Sequence, residues 1–197
     1  TNDRHSAPPA RDKPLFTPGP LTTSRTVKLA MLRDLGSRDT EFIETVRGIR
    51  NRLLAVAGVS REDGYECVLM QGSGTFTVES VISSTISPSG KLLAVVNGAY
   101  GQRIVKIAQR HGIETVVVRA DENQLPEVEQ VRQALNEDPH IEMVAIGHCE
   151  TTSGIINPIQ KIGQLAKESG RRYFVDSMSA FGAVAFDFGA CCIDYLV

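Results

Sequence analysis

Short apolar runs alternate with amphipathic helical segments along most of this 197-residue chain, and this alternation restricts its fold more than any other feature. Helical spacing of apolar residues occurs near 75–86, 101–111, 126–137 and 158–169. The apolar runs that these segments separate cover residues 67–70, 92–96, 115–118, 143–147, 173–175 and 193–197. The pattern predicts an α/β fold, with a mostly parallel sheet and helices on both of its faces.

A longer amphipathic helix precedes the alternation. Its apolar positions recur at helical spacing between Asp39, a residue type that suits an N-cap, and Gly58. Residues 1–14 combine charged residues, Pro and Ala without periodicity, so we expect a disordered extension there. The last apolar run reaches Val197, so we expect residues 15–197 to form the N-terminal part of a larger, apparently truncated domain.

The charge balance argues against a polyanionic partner. The chain has 23 acidic and 21 basic residues with interspersed signs, which provides no basic field for nucleic acid or an anionic membrane. No apolar run approaches the ~18 residues needed to span a bilayer, and the N-terminus lacks the apolar core of a signal peptide. The four cysteines, which form no C-x-x-C pair, favour a reducing, cytoplasmic compartment.

The segment Gln71-Gly72-Ser73-Gly74-Thr75 lies directly before a predicted helix. Its glycines permit a close backbone approach to an anion, and the helix start offers free N–H groups beside the Ser73 and Thr75 hydroxyls. The third Gly of a dinucleotide fingerprint and the Gly-Lys of a P-loop are both missing. Local sequence favours a phosphate cradle and a tight turn without a ligand equally.

Polar and aromatic residues also follow the second and fourth apolar runs. Tyr100, between two glycines, either stacks on a planar heterocycle or packs its loop onto the domain. His148 lacks a second ligand at metal-binding spacing, so a hydrogen-bonded histidine near the core is favoured and no metal site is predicted. For Glu150, a carboxylate that accepts backbone N–H bonds is favoured over a general acid or base. The hydroxyls of Thr151 and Thr152 either donate to a ligand or cap the following turn.

Asp176 ends the fifth apolar run. A buried carboxylate needs a cation or several donors, so Asp176 either forms a structural cap or salt bridge or is the partner of a protonated ring nitrogen. Ligands of such folds bind beyond the carboxyl ends of the strands, where all these residues are expected to meet. A phosphate cradle, an aromatic platform, hydroxyl donors and a buried Asp together describe a pyridoxal 5'-phosphate site.

Six segments, in order from Leu15 to Val197, resemble the class V, fold type I, pyridoxal phosphate-dependent aminotransferases. They are LFTPGPLTTSRTVKLAML, LMQGSGTFTVES, VVNGAYGQR, HCETTSGIINPI, YFVDSMSAFG and IDYLV. The resemblance is greatest to the branch that transfers the amino group of 2-aminoethylphosphonate to pyruvate and releases phosphonoacetaldehyde and L-alanine by ping-pong kinetics. The serine/alanine–glyoxylate branch is the near alternative.

The resemblance assigns roles by motif position. It implies that Ser73, Gly74 and Thr75 hold the cofactor phosphate and that Tyr100 stacks on the pyridine ring. It also implies that Thr152 donates to the phenolic oxygen and that Asp176, as the catalytic carboxylate, pairs with the pyridine nitrogen. The loop containing Thr17, Pro18 and Gly19 is expected to border the substrate.

The same resemblance implies parts that lie beyond this sequence. The lysine that forms the Schiff base with the cofactor is expected a few residues after the DYL strand, and a carboxylate-binding Arg is expected in a small C-terminal domain. It further implies a homodimeric, cytoplasmic enzyme of phosphonate degradation that binds neither nucleic acid nor membrane. If the polypeptide truly ended at Val197, the alternative would be a non-catalytic fragment.

Overall fold

The computed structural model describes residues 13–17 and 19–197. The disorder expected for the first twelve residues therefore lies outside the described residues, and Lys13 and Pro14 are exposed without regular secondary structure. The chain divides into two compact units, one ending at Ile43 and the other extending from Glu44 to Val197. The sequence pattern did not indicate this division.

The first unit contains a short helix that was not predicted. Helix α1 spans Arg25–Ala30, and the Ser24 hydroxyl caps it by accepting the Val27 N–H. Helix α2, Thr40–Val56, begins in this unit and agrees with the predicted long helix, directly after Asp39.

A parallel sheet of five strands, in the order β2-β1-β3-β4-β5, forms the centre of the second unit. The strands are β1 Lys91–Val96, β2 Glu114–Arg119, β3 Ile141–Gly147, β4 Arg172–Asp176 and β5 Tyr195–Leu196. The helices between them are α3 Gly74–Thr85, which precedes β1, α4 Ala99–Arg110, α5 Val128–Glu137 and α6 Ile159–Glu168. No helix within residues 13–17 and 19–197 has both the length and the apolar character to cross a membrane.

The sheet separates two apolar clusters, which confirms the predicted α/β fold with helices on both faces. Successive β1 residues point to opposite faces, so Leu92 and Ala94 pack in the cluster with α3 and α4. Leu93 and Val95 pack in the other cluster, with α5 and α6. Because the central strands β1 and β3 are buried on both faces, their apolar runs are nearly continuous rather than alternating.

The prediction of a strand at 67–70 is wrong. These residues have no regular secondary structure and no ladder partner among the described residues, and Val68 is 70% exposed. A groove of about 790 Å³ lies between this segment and β5, and its lining includes Cys67, Val68, Leu196 and Val197. A segment becomes a strand only when a neighbour satisfies its backbone groups, and here the groove separates the segment from the edge strand β5.

Candidate functional site

The carboxyl ends of β1, β3 and β4 meet at one edge of the sheet because these strands are parallel neighbours. The polar residues after each strand converge there, and the start of α3 joins them. Arg103 after β1 contacts Thr75, and Gly74 lies so close to Met178 that a Cβ at this glycine would be 2.5 Å from the methionine Cε. The site is therefore built from four separate parts of the second unit.

The start of α3 has the local geometry of an anion cradle. The Ser73 hydroxyl oxygen accepts the Phe76 N–H at 3.3 Å and so caps the helix. Gly72 has a φ of +152°, and a Cβ there would lie 2.7 Å from the Phe76 ring. The glycine is needed for this turn, and the first turn of the helix that follows has backbone N–H groups without intrahelical acceptors.

Arg103 connects the cradle to the aromatic ring. Its Nη1 donates to the Thr75 hydroxyl at 3.0 Å, and its guanidinium carbon lies 4.3 Å from the centroid of the Tyr100 ring. Sequence reasoning assigned no role to Arg103. Its position three residues after Tyr100 could have indicated a role, because residues three apart on a helix share a face and Tyr100 was already a candidate site residue.

Glu150 is buried, with 2% of its surface exposed, and its carboxylate is fully engaged. It accepts the N–H groups of Tyr100 at 3.4 Å, Gly101 at 3.3 Å and Thr152 at 3.3 Å, and the Thr152 hydroxyl at 3.0 Å. A Cβ at Gly98 would collide with this carboxylate, so only glycine fits there. The expectation that Glu150 accepts backbone N–H bonds is confirmed, and the contacts join the start of α4 to the turn after β3.

Asp176 ends β4 with its Oδ1 accepting the Met178 N–H at 3.2 Å. Burial raises the pKa of this carboxyl above its ordinary value, and the negative charge of Glu150 acts in the same direction. The Met178 N–H and the positive charge of Arg103 act against that rise. A carboxylate in this state gains from a cationic partner at its free oxygen.

His148 is the hydrogen-bonded, near-core histidine that the sequence indicated. It is 2% exposed, its Nδ1 lies 2.9 Å from the Ser177 hydroxyl oxygen, and its ring meets Phe186 edge-on at a centroid distance of 5.1 Å. Burial lowers the pKa of this imidazole, so the neutral form is favoured.

A buried amide pair, missed by sequence reasoning, ties the ends of β1 and β3 together. Asn97 and Asn157 exchange two side-chain hydrogen bonds, of 2.8 and 3.1 Å, and the Asn157 amide also donates to the Gly147 carbonyl at 2.8 Å. Asparagine is common in turns, so the sequence around each residue looks ordinary. Only their pairing across 60 residues distinguishes Asn97 and Asn157 from other turn asparagines.

The structure brings six of the residues singled out in the sequence into the second unit: Ser73, Gly74, Thr75, Tyr100, Thr152 and Asp176. Thr17 and Gly19 belong to the first unit, where the Thr17 hydroxyl donates to the Pro20 carbonyl at 3.1 Å, and Pro18 lies outside the described residues. Chemically, the second-unit set offers an anion cradle, an aromatic face, hydroxyl groups and a partly buried carboxylate.

Residues 23–197 match the family described as aminotransferase class-V. The chain belongs to the class-V aminotransferase family. Among curated relatives, 2-aminoethylphosphonate–pyruvate transaminases are similar to it: the protein of Bacillus mycoides is 46% identical over 183 residues, and that of Vibrio cholerae is 45% identical over 184. Each alignment covers 93% of this chain and 50% of the relative, so the chain spans about half the length of these aminotransferases.

Solved structures of aminotransferases share this fold. Pyridoxamine–pyruvate aminotransferase from Mesorhizobium loti superposes with a TM-score of 0.83 and 25% identity, over 94% of this chain and 48% of that one. Alanine–glyoxylate aminotransferase from Nostoc sp. gives a TM-score of 0.82 and 26% identity, over 98% and 51% of the two chains.

Proposed function

We propose that this chain is the N-terminal part of the cofactor-binding domain of an enzyme that transfers the amino group of 2-aminoethylphosphonate to pyruvate. The products are phosphonoacetaldehyde and L-alanine, formed by ping-pong kinetics. The observation that carries the proposal is the 45–46% identity to curated transaminases of that reaction across 93% of the chain. Because the chain spans half of their length, the activity belongs to a longer polypeptide that includes it.

The residues of the site fit pyridoxal phosphate. Free N–H groups at the start of α3 and the Ser73 and Thr75 hydroxyls suit its phosphate, and the Tyr100 ring suits stacking on its pyridine. Asp176, with its pKa raised by burial, gains from a protonated ring nitrogen and would hold a proton at that atom. When bound, the cofactor supplies a ring that accepts electrons from the substrate carbon.

Thr152 is proposed to donate to the phenolic oxygen of the cofactor. In this structure its hydroxyl proton is directed at Glu150 instead, so that role requires the hydroxyl to rotate. The loop of Thr17, Pro18 and Gly19 is proposed to border the substrate. The Schiff-base lysine and the carboxylate-binding Arg are proposed to come from polypeptide outside these 197 residues.

The serine/alanine–glyoxylate reaction is the second candidate, favoured by the similarity in fold to alanine–glyoxylate aminotransferase. A screen of the full-length enzyme with each donor and acceptor distinguishes the two. We expect alanine to form from 2-aminoethylphosphonate and pyruvate, with serine and glyoxylate at least 100 times less efficient, about 3 kcal/mol of discrimination. Efficient transfer from serine or alanine to glyoxylate, without phosphonate turnover, would establish the alternative.

We also propose that the full-length enzyme is a cytoplasmic homodimer that takes part in phosphonate breakdown. The four unpaired cysteines support a reducing compartment, and exposed apolar side chains such as Leu32, at 80% exposure, support self-association. Light scattering of the full-length protein tests the assembly, where the mass of one polypeptide would contradict it.

A further inference from the structure

We propose that Arg103 is a binding residue for a dianionic phosphorus oxyanion in this site. The inference rests on the proposed function, because pyridoxal phosphate and 2-aminoethylphosphonate both carry such a group. Arg103 lies near the start of α4 and contacts two candidate site residues, the Thr75 hydroxyl at 3.0 Å and the Tyr100 ring at 4.3 Å.

The cradle needs a formal positive charge. Its N–H groups at the start of α3 amount to roughly half an elementary charge, whereas a phosphate monoester carries about −1.5 to −2 at neutral pH. Ser73 and Thr75 add hydroxyl dipoles but no net charge. The Arg103 guanidinium supplies the missing cation, because it already lies at hydrogen-bond distance from the cradle.

Arg103 is an accessible cation beside the candidate site residues. Arg103 is the fifth residue of α4, one turn above Ala99, where the helix begins. Its charge acts on Asp176, and it is exposed, so it remains accessible to a ligand. An exposed guanidinium that contacts Thr75 at the cradle is therefore available to bind an anion there.

The guanidinium of Arg103 also has donors available to bind an oxyanion. It has five N–H donors in a planar fork, of which one is directed at Thr75, so the others can engage oxyanion oxygens in the bidentate manner that arginine favours. Stacking on Tyr100 limits its rotation, which lowers the entropy lost when a ligand binds. The contact with Thr75 favours the cofactor phosphate over the substrate phosphonate as the anion.

The test uses the full-length protein with Arg103→Met, Arg103→Lys and the matched control Arg119→Met. Arg119 donates to the side chain of Gln102, the neighbour of Arg103, at 2.7 Å, so the control removes a nearby guanidinium without touching the cradle. Dissociation constants are measured for pyridoxal phosphate, pyridoxal and inorganic phosphate by spectroscopic titration. Michaelis constants for 2-aminoethylphosphonate are measured with each variant saturated with cofactor.

We expect Arg103→Met to raise the dissociation constant of pyridoxal phosphate by about 10- to 100-fold, the range for the loss of a charged hydrogen bond. The dissociation constant of pyridoxal, which has no phosphate, should change by less than about 3-fold. Arg103→Lys should recover part of the loss, and Arg119→Met should match wild type. If only the Michaelis constant for 2-aminoethylphosphonate rises, the oxyanion is the substrate phosphonate, and the proposal stands with that source.

Two results would overturn the proposal. One is unchanged binding of every phosphorus oxyanion in Arg103→Met. The other is an equal gain in affinity for pyridoxal phosphate and pyridoxal, which would mean that the guanidinium only covers Tyr100. If wild type bound no pyridoxal phosphate at all, the proposed function would fail separately, and the inorganic phosphate titration would still decide the role of Arg103.

Discussion

The Thr152 hydroxyl donates to Glu150 Oε1 at 3.0 Å, and the same carboxylate accepts the N–H groups of Tyr100 and Gly101. One buried side chain thus sets the distance between the turn after β3 and the start of α4. These two segments carry the proposed hydroxyl donor and the proposed stacking ring. Their relative position consequently depends on a residue that need not touch a ligand.

We expect Glu150→Gln to destabilise the second unit. The substituted amide presents an NH₂ group to N–H donors, so at least one buried donor loses its acceptor, which costs about 1–3 kcal/mol in the free energy of unfolding. Urea unfolding of the chain measures this, with Glu122→Gln, an exposed position, as the control. Equal stability of the two variants would show that the carboxylate is not needed.

Ser73→Ala should affect both the fold and the cofactor. Loss of the N-cap of α3 should lower the free energy of unfolding by about 1 kcal/mol. Loss of the hydroxyl should also weaken the binding free energy of pyridoxal phosphate by about 1 kcal/mol. Ser24→Ala removes the N-cap of α1 in the other unit, so it should lower stability without changing cofactor affinity. Titration and unfolding curves compare the two serines, and an equal effect on affinity would contradict the cradle.

Gly74→Val should impair cofactor binding more than Ser73→Ala. A side chain at Gly74 forces Met178 to move and blocks close approach to the first N–H groups of α3. The measurement is the dissociation constant of pyridoxal phosphate in the full-length enzyme, with Gly74→Ala as a smaller intermediate case. Wild-type affinity in the valine variant would remove the cradle from the site.

Asp176→Asn should raise the stability of the fold at neutral pH. Burial raises the pKa of Asp176, so the folded state binds the proton more tightly and stability falls as pH rises from the unfolded value, about 3.9, through the folded one. Without cofactor, the variant should therefore be more stable than wild type at pH 7, and the difference should shrink at pH 3. Thermal unfolding at both pH values measures this, with Asp121→Asn as an exposed control.

The same carboxylate carries the proposed chemistry. Asp176→Ala should reduce half-transamination in the full-length enzyme by at least about 100-fold, because an unprotonated pyridine accepts electrons poorly. Single-turnover absorbance of cofactor-saturated enzyme measures the rate. Near wild-type turnover with the cofactor bound would contradict this role.

His148 should make the fold sensitive to acid. Its pKa is lowered by burial, so the unfolded chain binds a proton more readily and stability falls as pH drops through about 6.5, the ordinary histidine value, toward the folded pKa. Unfolding free energies of the chain between pH 7.5 and 5.5 measure the slope. The slope should flatten in His148→Gln and remain in His140→Gln, an exposed histidine; a slope that persists in His148→Gln would assign the effect elsewhere.

Strands and helices were predictable where each run could be recognised locally. The apolar runs at 92–96 and 143–147 became β1 and β3 because buried parallel strands require continuous apolar residues, whatever their neighbours are. The run at 67–70 has the same character but forms no strand, since strand formation depends on a partner that local sequence does not specify.

The sequence by itself determined the α/β class, the alternation of helices and strands from α3 onward, and which residue types follow each strand, because periodicity and turn chemistry are local properties. Only the tertiary structure decided that Glu150 receives four donors, that Arg103 reaches Thr75 from another helix, and that Asn97 pairs with Asn157. Apart from the two local contacts between Thr152 and Glu150, these contacts join residues 28 to 60 positions apart. Their geometry depends on how whole strands and helices pack, and no pattern within one segment encodes that packing.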